Sequence, residues 1–527
     1  MTPNRAIGVM RPRSSRLRRV GLTLGCLILL AGCDTSPAEP EPDFITDLSV
    51  TPNPSGYAPL TAEISLATSR PVQVELVVAG RDGAEDLRHR FPGVSQQSRL
   101  PVLGLYPNVG NVVALRFFDA GGSALGEVTR TISTPPLLAD LPQVTIDAAT
   151  PGAMAPGMNL VSYFGHNGQL TPQRPFIFDA TGTIRWYLDF SSHPNLRNLF
   201  YDDGVERLAN GDLYFGDGST GRIIEMDMLG RMVRAWTMPG YGFHHEVLEK
   251  PNGNFLVTVN KEGAATVEDY VIEIDRATGA IVREWDLNQA LDNARRAWPT
   301  SFADQNVDWF HANGIAYDPR DDAIIVSGRT QGTVKLTNDN QVVWILAPHR
   351  GWGTAGDGTD LTTRLLEPLD GDGLPITDPA VLDGTTNHPD FEWAWYQHAP
   401  ELMPDGTLLV FDNGDNRNYA DQPLYSRAVA FRVDPIAMTV QQTWQYGKER
   451  GGETFSRIVS DVDHLAGDDH LLFMPGAVSY AGVDYGKVVE LDHATRTIVF
   501  EATITPPTSA WGITFHRVER LSLYPPE

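Results

Sequence analysis

A loose repeat after residue 140 constrains the fold of this chain more than any other feature. In each unit an apolar strand-like run and a turn precede a second run that ends near a large aromatic residue. The six aromatic residues are Trp186, Trp236, Trp285, Trp344, Trp444 and Phe500. Repeats of this kind are typical of a propeller, in which each unit is a four-stranded antiparallel sheet. The sequence therefore predicts a six-bladed β-propeller over residues 140–527.

The residues before the repeat predict a separate, smaller β domain. Residues 44–135 alternate in short β-like runs, such as 72–78 and 112–118, which Gly, Pro and Asp-Gly turns separate. Helical periodicity is missing, so we expect an antiparallel, Ig-like β-sandwich. The fold class is therefore all-β. Within the propeller, residues 345–395 are expected to form a long loop over one face, and a short helix is expected at 287–297.

The first 33 residues have the pattern of a lipoprotein signal peptide. Six arginines precede an apolar run over 20–31, which is too short to span a membrane as a helix. The run ends in Leu-Ala-Gly-Cys at 30–33, which resembles a bacterial lipobox, so Cys33 is expected to carry a lipid. Residues 34–43 would be a tether, and the protein would be anchored on the periplasmic side of the cell envelope, in the inner or the outer membrane. The alternative is a plain secretory signal with an incidental cysteine.

Cysteine and charge usage exclude several classes of function. Cys26 and Cys33 are the two cysteines, so a processed chain would have no disulfide, no cysteine nucleophile and no cysteine metal site. The 41 Lys and Arg against 66 Asp and Glu leave a formal charge of −25. This balance argues against nucleic acid as a partner and against docking on anionic lipid through a basic face.

Three histidines occupy comparable positions in three repeat units. His245 and His398 each lie eight residues before the glycine of a turn, and His311 begins the corresponding strand of another unit. Because the first strands of a propeller line its axis, these imidazoles should face one pocket. His244 should face away by strand alternation. We expect it to be a surface or core residue, as are His89, His166, His193, His349, His388, His464, His470, His493 and His516.

Arg329 adds a candidate anion ligand to this pocket. It follows the apolar run 324–328, on a strand or turn next to His311. A guanidinium beside imidazoles offers a fixed fork of donors to a tetrahedral oxyanion. The sequence therefore favours an anionic substrate, with a salt bridge on the blade surface as the alternative role for Arg329.

The segments around these residues resemble one family. Phe-His-His-Glu at 243–246, the runs 308–313 and 327–329, and the run 397–399 with Phe-Asp-Asn-Gly at 411–414 are similar to bacterial arylsulfate sulfotransferases. The resemblance covers most of residues 45–527. It implies a β-sandwich followed by a six-bladed propeller, and transfer of sulfuryl groups between phenols without a nucleotide sulfate donor.

The resemblance also implies roles for individual residues. His398 would be the nucleophile that is transiently sulfated, and His311 would be the acid/base and a sulfate contact. His245, Asn313 and Arg329 would bind sulfuryl oxygens. No cofactor and no metal are implied, the kinetics would be ping-pong, and members of the family can be homodimers. The family's disulfide near the site has no cysteine pair here. Which histidine is the general acid stays open.

Three other classes of function remain open from the residues. Three converging histidines could bind Zn²⁺ with an open fourth position, as in a metal-dependent propeller lyase. The chain could also be an envelope-anchored binding module without catalysis, because a propeller fold does not determine function. A quinone-dependent dehydrogenase is disfavoured by six rather than eight units and by the absence of a clear Ca²⁺-ligand cluster in the sequence.

Overall fold

Strands dominate the structure. The computed structural model describes residues 41–165, 173–202, 204–297, 304–419, 423–507 and 513–525. These residues form 33 strands and two one-turn α-helices. The predicted signal peptide with Cys33, and the tether up to residue 40, lie outside the described residues. Within the described part of the chain, no helix is long and apolar enough to cross a membrane.

The N-terminal domain is built around one long strand. Its alternating burial places apolar side chains such as Ile64 and Leu76 in the core, as the two-residue period of a half-buried strand requires. The first half of β2 pairs with β1 and β4, and the second half pairs with β3 and β5. The strands are β1 Ile45–Pro52, β2 Ala62–Val78, β3 Leu87–Arg90, β4 Ser95–Val102, β5 Gly110–Phe118 and β6 Ala124–Ser133.

The described residues after this domain form six antiparallel sheets with four core strands each. The first sheet contains β8 Met158–Gly165, β9 Phe176–Phe178, β10 Ile184–Tyr187 and β33 Ile513–Leu521. The second contains β11 Glu206–Arg207, β12 Leu213–Asp217, β13 Arg222–Met226 and β14 Met232–Thr237. The third contains β15 Tyr241–Glu249, β16 Phe255–Lys261, β17 Tyr270–Ile274 and β18 Ile281–Asp286.

The fifth and sixth sheets carry additional strands. The fourth sheet is β19 Ala312–Asp318, β20 Ala323–Gly328, β21 Gly332–Leu336 and β22 Val342–Leu346. The fifth contains β23 Glu367–Leu369, β24 His398–Leu402, β25 Leu408–Asp412, β26 Arg427–Asp434 and β27 Thr439–Tyr446. The sixth contains β7 Gln143–Ala149, β28 Asp461–Leu465, β29 His470–Met474, β30 Val478–Tyr480, β31 Val483–Asp492 and β32 Ile498–Thr505.

The ring is closed at two sheets. β33, near the end of the chain, is the innermost strand of the first sheet, and β7 is the outermost strand of the sixth. The first strands of successive sheets contact one another, as in a propeller. The predicted fold class, a β-sandwich followed by a propeller, is confirmed.

The repeated tryptophans join neighbouring sheets. The indole N–H groups of Trp186, Trp236, Trp285 and Trp444 each donate to a backbone carbonyl in the next sheet, over 2.7–2.9 Å. Each ring is thus buried as apolar area while its one polar group is paired, which is the usual requirement for a buried indole. The repeat in the sequence reflects this contact between sheets.

The two insertions depart from the prediction in opposite directions, because the expected helix is shorter and the expected long loop contains short regular elements. The helix expected at 287–297 is the single turn Leu287–Ala290, capped by Asp286, and it ends because Leu291 is extended. The 345–395 segment holds the α-helix Pro379–Leu382, the 3-10 helix Leu361–Arg364 and β23, which pairs in parallel with β27 on the outer edge of its sheet. Two more 3-10 helices are Arg417–Tyr419 and Lys448–Thr454.

Carboxylates line one cavity on the axis of the ring. Arg517 lies among them and pairs with Glu246 at 2.7 Å and with Asp461 at 3.2 Å. Burial, and then the neighbouring Glu206, raise the pKa of Glu519 to about 8. Six acidic side chains from five first strands border this volume of about 320 Å³: Glu206, Glu246, Glu401, Asp461, Asp463 and Glu519.

This carboxylate cavity predicts that the folded state loses stability as pH rises. The native state holds a proton on Glu519 that the unfolded chain releases near pH 4.5, so stability falls between there and about pH 8. Glu519→Gln removes the charge and keeps an acceptor for the Arg207 N–H. We expect the variant to be more stable by about 1–3 kcal/mol at pH 8 and unchanged near pH 4.5. Urea unfolding at both pH values measures this, with the exposed Glu262→Gln as control.

Candidate active site

A cavity of about 500 Å³ at the entrance of the axial channel collects most of the predicted site residues. All six sheets, or the segments that lead into them, contribute to its lining. The predicted His245, His311, His398 and Arg329 are among the lining residues. The others are Phe200, Asp202, Gly218, Phe243, His244, Asn260, Glu268, Ile458, Val459, Thr514 and His516.

Irregular backbone brings the three predicted histidines together. The ladders place His398 opposite Phe411, whereas His245 lies inside a bulge between Phe243 and Val247, and His311 directly precedes its strand. All three histidines lie at a register shift or directly before one, and the equivalence expected from counting to the turns stays a prediction. They converge because each first strand departs from regular pairing at its start.

Left-handed backbone explains why His244 lines the cavity as well. His245 has φ +55° and His311 has φ +58°, a region that non-glycine residues seldom adopt. At His245 this breaks the alternation of the strand, so two consecutive imidazoles reach the cavity, with ring centroids 4.0 Å apart. The prediction that His244 faces away is therefore wrong. The assignment of His516 away from the pocket is also wrong, because β33 delivers it to the same lining.

His245 and His311 form a direct imidazole pair. Their Nε2 atoms are 2.9 Å apart, and both side chains are buried. Burial is the largest influence on both rings and lowers their pKa values. For His245 the neighbouring imidazoles add to it, and its pKa is well below the usual value. For His311 the carboxylates of Glu268 and Asp308 outweigh burial, and the pKa is raised.

The neighbouring carboxylates determine which imidazole of this pair donates the shared hydrogen bond. His311 Nδ1 lies against Glu268 and is 3.0 Å from Asp308 Oδ1, so that nitrogen carries a hydrogen. A raised pKa favours a second hydrogen on Nε2, which lies 2.9 Å from His245 Nε2, and His245 can accept it as the neutral partner. His311 is thus the imidazole of this pair that favours the charged form.

Asp308 ties His311 to Arg329. Its Oδ2 pairs with Arg329 Nη2 at 2.8 Å, while its Oδ1 faces the imidazole. Arg329 lines the cavity, and its salt bridge lies there rather than on the blade surface, while its role as an anion ligand stays a prediction. Glu268 makes a similar bridge between His311 and His244 Nε2, which lies at 3.0 Å. Glu268 lines the cavity together with the imidazoles that it contacts, whereas Asp308 is not among the lining residues.

His398 has the opposite character. Its side chain is buried, and its Nδ1 lies 2.7 Å from Asn413 Oδ1 and 3.0 Å from the Tyr396 carbonyl. Burial lowers the pKa of His398 to about 3, although the hydrogen bond with Asn413 raises it. The ring is therefore neutral at physiological pH. With Nδ1 as the donor, the lone pair is on Nε2.

Asn313 is held behind the cavity. Its Nδ2 donates to the Gln397 carbonyl over 2.9 Å, and Ser327 Oγ donates to the same oxygen over 3.0 Å. Asn313 is buried but is not among the residues that line the cavity. Its visible contact positions the residue before His398, and a contact with a sulfuryl oxygen stays a prediction.

Sequence reasoning missed the supporting acids and the apolar wall. Asp308 and Asn413 lie inside the runs 308–313 and 411–414, so those motifs held a signal for them. Asp202 precedes β11, and Glu268 lies between β16 and β17. No sequence pattern marks either residue. Phe200, Phe243, Ile458 and Val459 form an apolar wall of the cavity, which suits an aromatic ring.

The fold and this cavity define a propeller enzyme whose site matches a small tetrahedral oxyanion: one imidazole with a raised pKa, one guanidinium and one neutral, buried imidazole. Comparison with known proteins agrees. The profile of the Arylsulfotransferase (ASST) family matches residues 143–512, and that of the arylsulfotransferase Ig-like domain matches residues 49–135. The chain belongs to the arylsulfotransferase family.

Two curated relatives and one solved structure illustrate the similarity. Arylsulfate sulfotransferase AssT of Escherichia coli O6:H1 is 29% identical over 92% of this chain and 94% of its own length. AssT of Lelliottia amnigena is 30% identical over 86% of this chain and 89% of its own. A virginiamycin B lyase from Staphylococcus aureus is 10% identical, over 69% of this chain and 99% of its own, with a TM-score of 0.32, which is too low to carry an argument.

Proposed function

We propose that this protein transfers a sulfuryl group from an aryl sulfate ester to a phenolic acceptor, through a sulfated His398 and without a nucleotide donor. The observation that carries the proposal is the state of His398. Its imidazole is neutral and anchored through Nδ1, and it lies in a cavity that also holds Arg329 and the cationic His311. A neutral imidazole is a competent nucleophile, and the two cations would stabilise the sulfuryl oxygens.

The proposed reaction has two balanced half-reactions. In the first, His398 Nε2 forms a bond to sulfur, the bond from sulfur to the aryl oxygen breaks, and the His311 Nε2 proton goes to that oxygen. The phenol leaves. In the second, an acceptor phenol gives its proton to His311 and its oxygen attacks the sulfur, which breaks the N–S bond. No net proton is released. Because the first phenol leaves before the acceptor reacts with the covalent intermediate, the two half-reactions require ping-pong kinetics.

The remaining cavity groups would orient the ester. The aryl ester oxygen would replace His245 as the acceptor of the His311 Nε2 proton, which is possible because that pair faces the cavity. Contact between His245 and a sulfuryl oxygen requires a proton on His245 Nε2, which an incoming anion would stabilise. The aryl ring would pack on Phe200 and Phe243.

Release of 4-nitrophenolate from 4-nitrophenyl sulfate tests the proposal. The mature protein, treated with a chelator and given no nucleotide, should release the product faster when phenol is added, with phenyl sulfate formed in equal amount. Parallel lines in double-reciprocal plots at several phenol concentrations would support ping-pong transfer. Release that is indifferent to phenol would indicate a sulfatase instead.

A metal-dependent lyase is the second candidate, because His244, His245 and His311 each offer a ligand atom within 4.8 Å of the others. Arg329 in the same cavity disfavours a cation there. The chelator in the assay separates the two candidates: a transferase keeps its activity, and a lyase loses it and recovers with Zn²⁺. A binding module would show no turnover in either condition.

We also propose lipid attachment at Cys33 and a location on the periplasmic side of the cell envelope, supported by the arginine-rich start, the apolar run and the Leu-Ala-Gly-Cys sequence. A homodimer remains part of the proposal through the family resemblance. Mass spectrometry of the mature N-terminus tests the anchor, since an unmodified Cys33 or another cleavage site would contradict it.

A further inference from the structure

We infer that Asn413 is a positioning residue for the nucleophile, because its side-chain amide determines which nitrogen of His398 carries the hydrogen. Asn413 is fully buried directly after β25, and its Oδ1 lies 2.7 Å from His398 Nδ1. The inference rests on the proposed function, since His398 is the nucleophile there. Asn413 touches His398 and is not one of the residues that line the cavity.

Two backbone carbonyls fix the orientation of the Asn413 amide. Its Nδ2 donates to the carbonyls of Ser456 and Val459, each over 2.9 Å. A carbonyl oxygen can only accept, so the amino group must face these two atoms and the amide oxygen must face His398. That oxygen also can only accept, so His398 Nδ1 must be the donor. The Tyr396 carbonyl, 3.0 Å from the same nitrogen, can also only accept, so it too requires a hydrogen on Nδ1.

The segment 456–460 is strained where it supplies these carbonyls. Val459 has φ +53° and Ser460 has φ +88°. A β-branched residue with positive φ is a rare outlier and is maintained only when surrounding contacts impose it. The strain therefore indicates that the direction of these carbonyls matters. Left-handed backbone at Val459 turns its own carbonyl toward the amide while its side chain lines the cavity.

Three buried serines impose the conformation of segment 456–460. Ser426 Oγ donates to the Asn413 carbonyl over 2.7 Å and accepts from the Ser456 N–H over 2.8 Å. Ser460 Oγ donates to Ser456 Oγ over 2.8 Å, and Ser456 Oγ donates to the Ile458 carbonyl over 2.9 Å. Ser426 thus links the Asn413 backbone to the segment, while Ser456 and Ser460 bond within the segment and accept from Ala477 and Gly476. The amide is held from both its backbone and its side chain.

The chemistry explains why an amide holds His398 while carboxylates hold His311. A carboxylate against Nδ1 favours the charged imidazolium, as Glu268 and Asp308 do for His311. An imidazolium has no lone pair and cannot attack sulfur. An amide oxygen orients the ring and selects the tautomer, yet it adds no negative charge. The two kinds of partner therefore distinguish the nucleophile from the acid.

Asn413→Asp and Asn413→Leu in the full-length protein test the inference. For Asn413→Leu we expect kcat/KM for 4-nitrophenyl sulfate to fall about 10–100-fold at every pH, because the Tyr396 carbonyl alone orients the ring. For Asn413→Asp we expect the acid limb of kcat/KM to move upward by at least about one pH unit, with activity recovered at higher pH. The exposed Asn195→Asp should leave both the limb and the rate unchanged.

A second readout does not depend on turnover. Nitrogen NMR of ¹⁵N-histidine-labelled protein should show His398 with a protonated Nδ1 and an unprotonated Nε2, with Asn413→Leu increasing the other tautomer. A protonated Nε2 in the unsubstituted protein would overturn the inference, as would equal losses in both variants without movement of the acid limb. If the unsubstituted protein transfers no sulfuryl group, the proposed function fails, while the tautomer is still decided by NMR.

Discussion

His398→Ala is expected to lower kcat for sulfuryl transfer by about 10⁴-fold or more, which would be the largest effect of any single substitution in this protein. Without the imidazole no covalent intermediate can form, and a direct transfer would need donor and acceptor in one cavity of about 500 Å³ together. Steady-state turnover of 4-nitrophenyl sulfate with phenol measures the loss. Radiolabelled donor should leave sulfate on the unsubstituted protein and none on the variant.

Two matched variants make the His398 result specific. His388→Ala changes a half-buried histidine of the 345–395 segment and should keep full turnover and full labelling. His398→Gly leaves a gap of imidazole size, so free imidazole in the buffer should restore part of the first half-reaction and appear as sulfated imidazole. Labelling that survives in His398→Ala would show that another residue is the nucleophile.

The architecture was predictable because it is repeated. Four of the units pair a tryptophan with the next sheet, as Trp186 does with the Met228 carbonyl, so the same pattern recurs in successive stretches of sequence. The signal for each unit lies within its own short stretch of sequence. The units can therefore be counted from the sequence without knowledge of long-range contacts.

The site was predictable only in part, since it depends on exceptions to the repeat. The position of His245 in a first strand places it near the axis, as predicted, but strand alternation fails for His244, because alternation ends where the backbone becomes left-handed. Glu268, also left-handed, reaches His311 from the segment between two strands of another sheet. Such contacts follow from the closure of the ring, and no spacing in the sequence encodes them.

The pKa values of His311 and His398 move in opposite directions within one cavity, and their supporting residues account for the difference. Desolvation alone would make both rings neutral. The carboxylates of Glu268 and Asp308 raise the pKa of His311 despite its burial. The Asn413 amide adds no charge, so burial still keeps the pKa of His398 low. Acid and nucleophile can therefore coexist at the same pH, which a reaction with a phenolate leaving group and an imidazole nucleophile requires.

His311→Gln is expected to cut kcat/KM by about 10²–10⁴-fold for phenyl sulfate and by less than about 10-fold for 4-nitrophenyl sulfate. The reason is that the His311 proton is needed in proportion to the basicity of the leaving oxygen, and 4-nitrophenolate leaves readily without it. A plot of log kcat/KM against leaving-group pKa, over a series of substituted phenyl sulfates, should therefore be steeper for the variant than for the unsubstituted protein. Glu268→Gln should show the same change in slope to a smaller degree, because Asp308 still supports the cation.

His245→Gln is the matched control, because His245 shares the proton of His311 yet is assigned to the sulfuryl oxygens. Its loss should be uniform across the series, since those oxygens are the same in every ester. A steeper slope for His245→Gln with a parallel line for His311→Gln would exchange the two roles. Parallel lines for both variants would mean that the leaving oxygen departs without a proton from either imidazole, and the cationic state of His311 would then serve the sulfuryl oxygens alone.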